Sequence, residues 1–433
     1  MSARLPSELW DVILDIVWSD DLAQDPALEK GRRRTASRPA PVIHACASVC
    51  KAWLPRARYW GFGRLRIGYK FRSPSQFVDI VSHPLCTFNT SVLHLSVSYQ
   101  GAAKGELTKL GILWSSLYRL SNLLSLEFDG VNFLKKYAPV DRPVFCPQII
   151  PANIITLTIT WSSYDTAREL VEGISHCRRL QSLTLSPPRE CVDWDVPGTV
   201  PGALPVPSAL RELDLVWGAP LQIQPVLSRL CPRPGALQLR NLSLHCMGTV
   251  DVAGVATFVQ YAGQSVDSLS VDIPGGEFDH KDAGIATLCA MGGLSTLTSL
   301  RVFTLSGYIT RKPKWISWDY APTPRNIPLL MSHYISSLPS TCPAVELRFE
   351  IGLHRMGHWN FVPWRAVFDH VGRRFPLLER IVWAIPLEDD ASELELATIR
   401  KTAQNLVGTC LRKYVEVALT TSVKPKRQDT VRG

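Results

Sequence analysis

The 433-residue chain reads as an α/β solenoid behind a small module of three helices. Three observations predict this. A short apolar pattern recurs from residue 92 onward, a helix apolar over most of its circumference opens the chain, and a short basic helix leads directly into an alternating strand at Arg64. Hydrophobic residues make up 46% and charged residues 20%, the balance of a chain that folds around a core rather than staying disordered.

The repeated pattern is L-x-x-L-x-L with conservative swaps. Its copies begin at Val92, Leu123, Ile154, Leu180, Leu210, Leu239, Val266, Leu297, Ala344 and Leu378, at steps of 31, 31, 26, 30, 29, 27, 31, 47 and 34 residues. Within them the apolar positions run Val92/Leu95/Val97, Leu123/Leu126/Phe128 and so on to Leu297/Leu300/Val302, Ala344/Leu347/Phe349 and Leu378/Ile381/Trp383. Each unit contributes one short strand and a return, and buries its leucines only by stacking on its neighbours. Helical returns are predicted over Thr166 to Cys177, Val250 to Ala262, Asp282 to Met291 and Ile327 to Leu338. The array is irregular: six of the nine steps exceed the usual ~20–29 residues, and Pro188 stands where an asparagine is expected after Leu185. An ordinary α/β domain of repeated βα units shares the strands and stays an alternative.

In the amino-terminal module, Pro6 is preorganised for a first helical turn and Glu8 meets the positive end of the dipole, so a helix is predicted from Pro6 to Trp18. Glu8, Asp11 and Asp15 form one polar stripe, and Leu9, Trp10, Val12, Ile13, Leu14, Ile16, Val17 and Trp18 fill the rest of the cylinder. A single covering wall cannot shelter such a surface. It belongs either in a large core or between its own module and a partner, and its place at the amino terminus favours the partner. Residues 19–41, with Pro26, Gly31, Arg32-Arg33-Arg34, Pro39 and Pro41, have the composition of a loop. A second helix is predicted from Val42 to Leu54, stopping at Pro55, and a short basic one from Arg56 to Trp60.

These residues carry a resemblance. Leu5-Pro6-x-Glu8-Leu9-Trp10-x-x-Ile13-Leu14, followed by Ser48-Val49-Cys50-Lys51-x-Trp53-Leu54-Pro55-Arg56-Ala57-Arg58 and Phe62, resembles an F-box, over about 45 residues around the 23-residue insertion at 19–41. The family's usual segment between the first two helices is much shorter. The resemblance implies that the module binds a Skp-type adaptor and, through it, cullin and RING subunits. Leu5, Pro6, Leu9, Ile13 and Leu14 would face the adaptor, with Val49, Cys50 and Trp53 shared between the module's own core and that interface. The body resembles an irregular leucine-rich-repeat horseshoe with parallel strands and helical returns. The implied organisation is an F-box module at 1–63, a repeat domain at 64–423 and a basic tail at 424–433.

The formal charge of +9 is concentrated: residues 1–70 carry net +5 and the tail from Lys424 carries +3, leaving about +1 for the body. A phosphate-binding domain would place that charge on its folded face, so the distribution argues against nucleic acid as the main ligand. No apolar run reaches the roughly 18 residues a membrane span needs. The eleven cysteines form no C-x-x-C pair and read as core residues of a reducing compartment. The protein is therefore expected to be intracellular, cytoplasmic and/or nuclear. His44, Cys46 and Cys50 lack a second pair at finger-like spacing, and His354 and His358 lack a third ligand, so neither set is read as a metal site.

No phosphate loop, nucleophile elbow, dinucleotide turn or zinc-helix motif occurs, so no cofactor is expected and the chain is read as non-catalytic. The long step contains Tyr308, Trp315, Trp318 and Tyr320 among Arg311, Lys312 and Lys314, aromatic and basic residues suited to anchoring a protein target. Arg32-Arg33-Arg34-Thr35-Ala36-Ser37 has the form of a basophilic kinase site and Lys424-Pro425-Lys426-Arg427 that of a nuclear signal. Taken together, the expected role is substrate recognition in an SCF-type ubiquitin ligase. A non-ligase repeat scaffold and an unrecognised hydrolase are the alternatives.

Overall fold

The computed structural model describes residues 9, 12–16, 46, 51, 53–68, 74–98, 116–131, 150–160, 162, 164–186, 191–193, 207–216, 224–245, 252–273, 287–309, 326–340, 342–353, 364–387, 393–411 and 416–423. The chain divides into two compact units, one of residues 1–180 with 190–193, the other of 181–189 with 194–433.

The first unit holds α1 (Leu54–Gly63), β1 (Arg64–Gly68), α2 (Pro74–Ser82), β2 (His94–Ser98), β3 (Ser125–Asp129), β4 (Thr156–Thr160), β5 (Tyr164–Thr166) and α3 (Ala167–His176). β1 to β4 pair in parallel and in chain order, with Leu65 beside Leu95, Leu95 beside Leu126, and Leu126 beside Leu157. The second unit holds β6 (Ser182–Leu185), β8 (Glu212–Val216), α4 (Gln224–Leu230), β9 (Asn241–His245), α5 (Val252–Ala262), β10 (Ser268–Ile273), β11 (Val302–Ile309), α6 (Asn326–Ser337), β12 (Glu346–Leu353), α7 (Trp364–Arg374), β13 (Arg380–Leu387), α8 (Glu393–Leu411) and β14 (Glu416–Val423). Its eight strands form an open parallel sheet in chain order. β7 (Cys191–Asp193) belongs to the first unit, where it pairs with β5 apart from the main sheet. Each unit is thus a stretch of α/β solenoid.

The alternation that predicted the strands also sets their faces. In β2, Leu95 and Val97 are buried while His94, Ser96 and Ser98 are half-buried, and β3, β4, β8 and β9 repeat the pattern at their apolar positions. The same backbone contact introduces each unit: the amides of Leu124 and Ser125 both reach the Leu93 carbonyl, those of Arg240 and Asn241 reach Arg211, and those of Val345 and Glu346 reach Arg301. A side-chain ladder runs beside it. Asn122 donates to the Thr90 carbonyl at 2.8 Å, Asn153 to Ser121 at 3.0 Å and Ser299 to Gln264 at 2.7 Å, each from the residue just before a repeat's first apolar position.

That ladder corrects the eighth copy. Leu269 pairs with Phe303 and Val271 with Leu305, so the unit is Leu300/Phe303/Leu305 and not Leu297/Leu300/Val302. Phe303 and Leu305 are fully buried, whereas Val302 lies on the opposite, half-buried face. Two strands extend the array beyond the ten copies: β1 places Leu65 and Ile67, and β14 places Val417 and Leu419, in the same rows. Of the expected returns, α3, α5 and α6 lie within a residue or two of prediction. The stretch to Met291 ends in Gly292, whose φ of 67° suits glycine, before a single 3-10 turn over Gly293–Thr296.

The predicted helix boundary near Pro55 is also corrected. Lys51 and Trp53 lie in a turn and Pro55 stands inside the first turn of α1, where its missing amide costs nothing. The core of the second unit becomes aromatic toward its end. Trp383 stacks on Phe349 at 5.6 Å between centroids, and Trp364 and Phe368 of α7 meet the pair at 5.3 to 6.1 Å. Trp364, Val367, Phe368 and Val371 are the buried stripe of α7 at i, i+3, i+4 and i+7, so full helical returns face the sheet with large side chains.

Candidate functional site

Two features are candidates for a functional surface. The first is the leading helix. Leu9 and residues 12–16 are helical, and Leu14 is fully buried. Leu9 (47% exposed), Val12 (52%), Ile13 (37%) and Ile16 (55%) are not covered. Their spacing of i, i+3, i+4 and i+7 puts them on one face, an apolar stripe open to solvent. The helix is held from its other side by Asp15, whose two carboxylate oxygens accept from Arg56 Nε at 2.8 Å and Nη2 at 2.6 Å. Arg56 also lies over the Tyr59 ring, 5.2 Å from its centroid.

Of the residues expected to face an adaptor, Leu9 and Ile13 are on the open stripe. Leu14 is instead fully buried and, among the described residues, packs the helix down. Trp53 is half-buried in the turn before α1. Leu5, Pro6, Val49 and Cys50 lie outside the described residues. So do Trp315, Trp318 and Tyr320, with Arg311, Lys312 and Lys314 before them, His354, His358, the basic run at 32–34 and the tail; Tyr308 stands near the end of β11. Val12 and Ile16 were missed as candidates, although the interval from Leu9 to Ile13 already implied them.

The second feature is the polar face of the strands, the side opposite the buried leucines. Its columns are visible in the register. Immediately after each unit's third apolar residue, the first unit has Ser98, Asp129 and Thr160. Asp129 accepts from the Ser98 hydroxyl at 3.4 Å and from Thr160 at 3.1 Å. The second unit has His245, Asp272, Ser306 and Glu350 in the same column. His245 Nδ1 lies 3.1 Å from Asp272 Oδ1 and its Nε2 3.3 Å from Asp214 Oδ1, and Ser306 donates to Asp272. A neighbouring column pairs Asn241 with Glu212 at 3.1 Å, and Arg380 bridges Glu346 and Glu416 at 3.6 Å to each.

Electrostatics follow from this placement. Burial pulls the His245 imidazole down, but the hydrogen bond and charge of Asp272, with the charges of Asp214 and Glu350, outweigh it and raise it above its ordinary value. Burial raises the Asp214 carboxyl; His245 opposes that and Asp272 adds to it. His94, beside Arg64 on the first unit's face, is pushed down to about 4 by burial and then by the Arg64 charge. The imidazole of His245 faces carboxylates on both sides, and Ser306 donates to Asp272 and not to the ring. That is not the order of a nucleophile with its base. Burial pushes the thiols of Cys177 and Cys342 up to about 12 and about 11, so both are protonated and unreactive at neutral pH. Among the described residues no group of three or more His, Cys, Asp or Glu side chains is placed to hold a metal ion, and no helix is long and apolar enough to cross a membrane.

No family model matches the chain, and no curated protein matches it in sequence. Among solved structures it is similar to a chain of the crystal structure of the Rad7 and Elc1 complex in yeast, at 14% identity over 89% of this chain and 90% of that one, with a TM-score of 0.27. A likeness of that size carries no argument about this chain's fold or role.

Proposed function

We propose that the chain is a non-catalytic substrate-recognition adaptor of an SCF-type ubiquitin ligase, working in the cytoplasm and/or nucleus. The leading helix, as part of an F-box, docks a Skp-type adaptor and through it cullin and RING subunits. The repeat body, a leucine-rich-repeat array, holds a protein target on the polar face of its strands, and Tyr308, Trp315, Trp318 and Tyr320 supply further target contacts. Ubiquitin transfer is then a matter of proximity: holding the target raises its effective concentration near the charged conjugating enzyme.

The observation that carries this reading is the open stripe of Leu9, Val12, Ile13 and Ile16 on a helix whose remaining sides are anchored by Leu14 and Asp15. Four large apolar side chains on one short face form the kind of surface that protein partners cover.

The test is recovery of partners from cells expressing the full chain or the Ile13→Asp/Ile16→Asp double variant. A Skp-type adaptor and a cullin should accompany the unaltered chain and be lost from the variant, with bound targets retained. Equal recovery of the adaptor by both would remove the proposed surface, and its absence from both would leave only a repeat scaffold.

A further inference from the structure

The leading helix raises a problem of rotation. From Leu9 to Trp18 only Asp11 and Asp15 are polar, so apolar burial alone does not decide which side faces inward. Rolling the helix by one residue toward Ile13, about 100°, would exchange Leu14 for another large aliphatic at little hydrophobic cost. A directional polar contact is needed to choose one orientation, and a bidentate guanidinium–carboxylate pair is the most directional that side chains offer.

We propose that Arg56 is the latch that sets the rotation of the leading helix and ties its docking face to the start of the repeat body. This rests on the docking reading above. Asp15 and Leu14 are consecutive, so their directions differ by about 100° and together leave only the arc of Leu9, Val12, Ile13 and Ile16 outward. Arg56 is itself firmly placed. It sits in the first turn of α1, next to Ala57, which is 1% exposed, and its guanidinium lies over Tyr59. α1 runs without a linker into β1, the Leu93 amide donates to the Gly63 carbonyl at 3.0 Å, and Phe62 stacks on Phe88 at 4.6 Å. The pair therefore passes the orientation of the first strand to the docking helix across 41 residues of sequence. Arg56 does not itself lie on the open stripe; it is a positioning residue.

The experiment compares the full chain with Arg56→Met, Asp15→Asn, Asp15→Glu and the Arg56→Met/Asp15→Asn double variant. Amide hydrogen exchange over residues 12–16 is read without any partner, and affinity for a purified Skp-type adaptor is read separately. Each single neutralising change should speed exchange and weaken adaptor binding about threefold to tenfold, the scale of a part-buried bidentate pair. Asp15→Glu should restore most of both, and the double variant should lose clearly less than the two single losses summed, because both remove the same contact. Unchanged exchange and affinity in the single variants, or effects that add in the double, would overturn the latch. An unaltered chain that binds no adaptor, but whose exchange still depends on Arg56, would overturn the docking reading and leave the latch standing.

Discussion

His245 and His94 occupy the same kind of surface, the polar side of a parallel sheet, yet their surroundings push them in opposite directions, and stability should follow. His245 is raised above its ordinary value against the pull of burial, by Asp272 first and then by Asp214 and Glu350. Between the ordinary imidazole pKa and the folded one, the native state binds the extra proton, so its contribution is full below about 6.5 and fades as pH rises through the folded value. The raised Asp214 carboxyl acts in the same sense at lower pH. His94, held at about 4 by burial and Arg64, works the other way. Its contribution is full above 6.5 and is lost as pH falls toward 4, where the unfolded chain takes up a proton that the native state refuses. Denaturant unfolding of the full chain across pH 4 to 9 should therefore show a steeper alkaline loss in the unaltered protein than in His245→Gln, and a steeper acid loss than in His94→Gln. Identical pH profiles for all three would contradict these placements. No single local motif carries this pairing, since Asp214, His245 and Asp272 are far apart in sequence. Stacking the copies on their leucines does put His245 and Asp272 in one column, so part of the signal was present.

At the scale of elements, stability is passed from unit to unit by repeated small contacts. Asn122 and Asn153 each donate to the carbonyl of the unit before, and replacing either with alanine should cost about 0.5–1.5 kcal/mol, the net worth of one such hydrogen bond. Chemical denaturation of the single variants checks this, and a change near zero in both would show the ladder to be incidental. The same ladder explains where the sequence misled. Leu297, Leu300, Val302, Phe303 and Leu305 crowd one segment, so the apolar pattern fits in two frames three residues apart. Spacing cannot choose between them, whereas Ser299 reaching the Gln264 carbonyl fixes the frame. β14 escaped notice for a related reason: Ala418 between Val417 and Leu419 blurs the alternation. The strands from Val92 to Val271 were legible because leucine and hydroxyl residues alternate cleanly there, and α7 was not anticipated because Trp364 to Val371 lies among prolines and glycines.

At the scale of the molecule, an array in which each strand pairs only with its neighbours should lose stability locally. Trp383→Ala empties the centre of the aromatic cluster and should cost about 3–5 kcal/mol. Hydrogen exchange should quicken most in β12, β13 and β14 and least in β8 and β9; uniform acceleration across the second unit would mean that it unfolds as one cooperative block. The same locality suits the proposed adaptor role, because the leading helix and the polar face of the strands can each be changed without disturbing the other. The central claim is that the open stripe of the leading helix binds a Skp-type adaptor, and calorimetric titration of that purified adaptor into the full chain tests it most directly. The account predicts saturable one-to-one binding that Ile13→Asp/Ile16→Asp weakens at least a hundredfold, about 2.7 kcal/mol, with the unfolding transition unchanged; equal affinity in the variant, or no heat of binding to the unaltered chain, would contradict it.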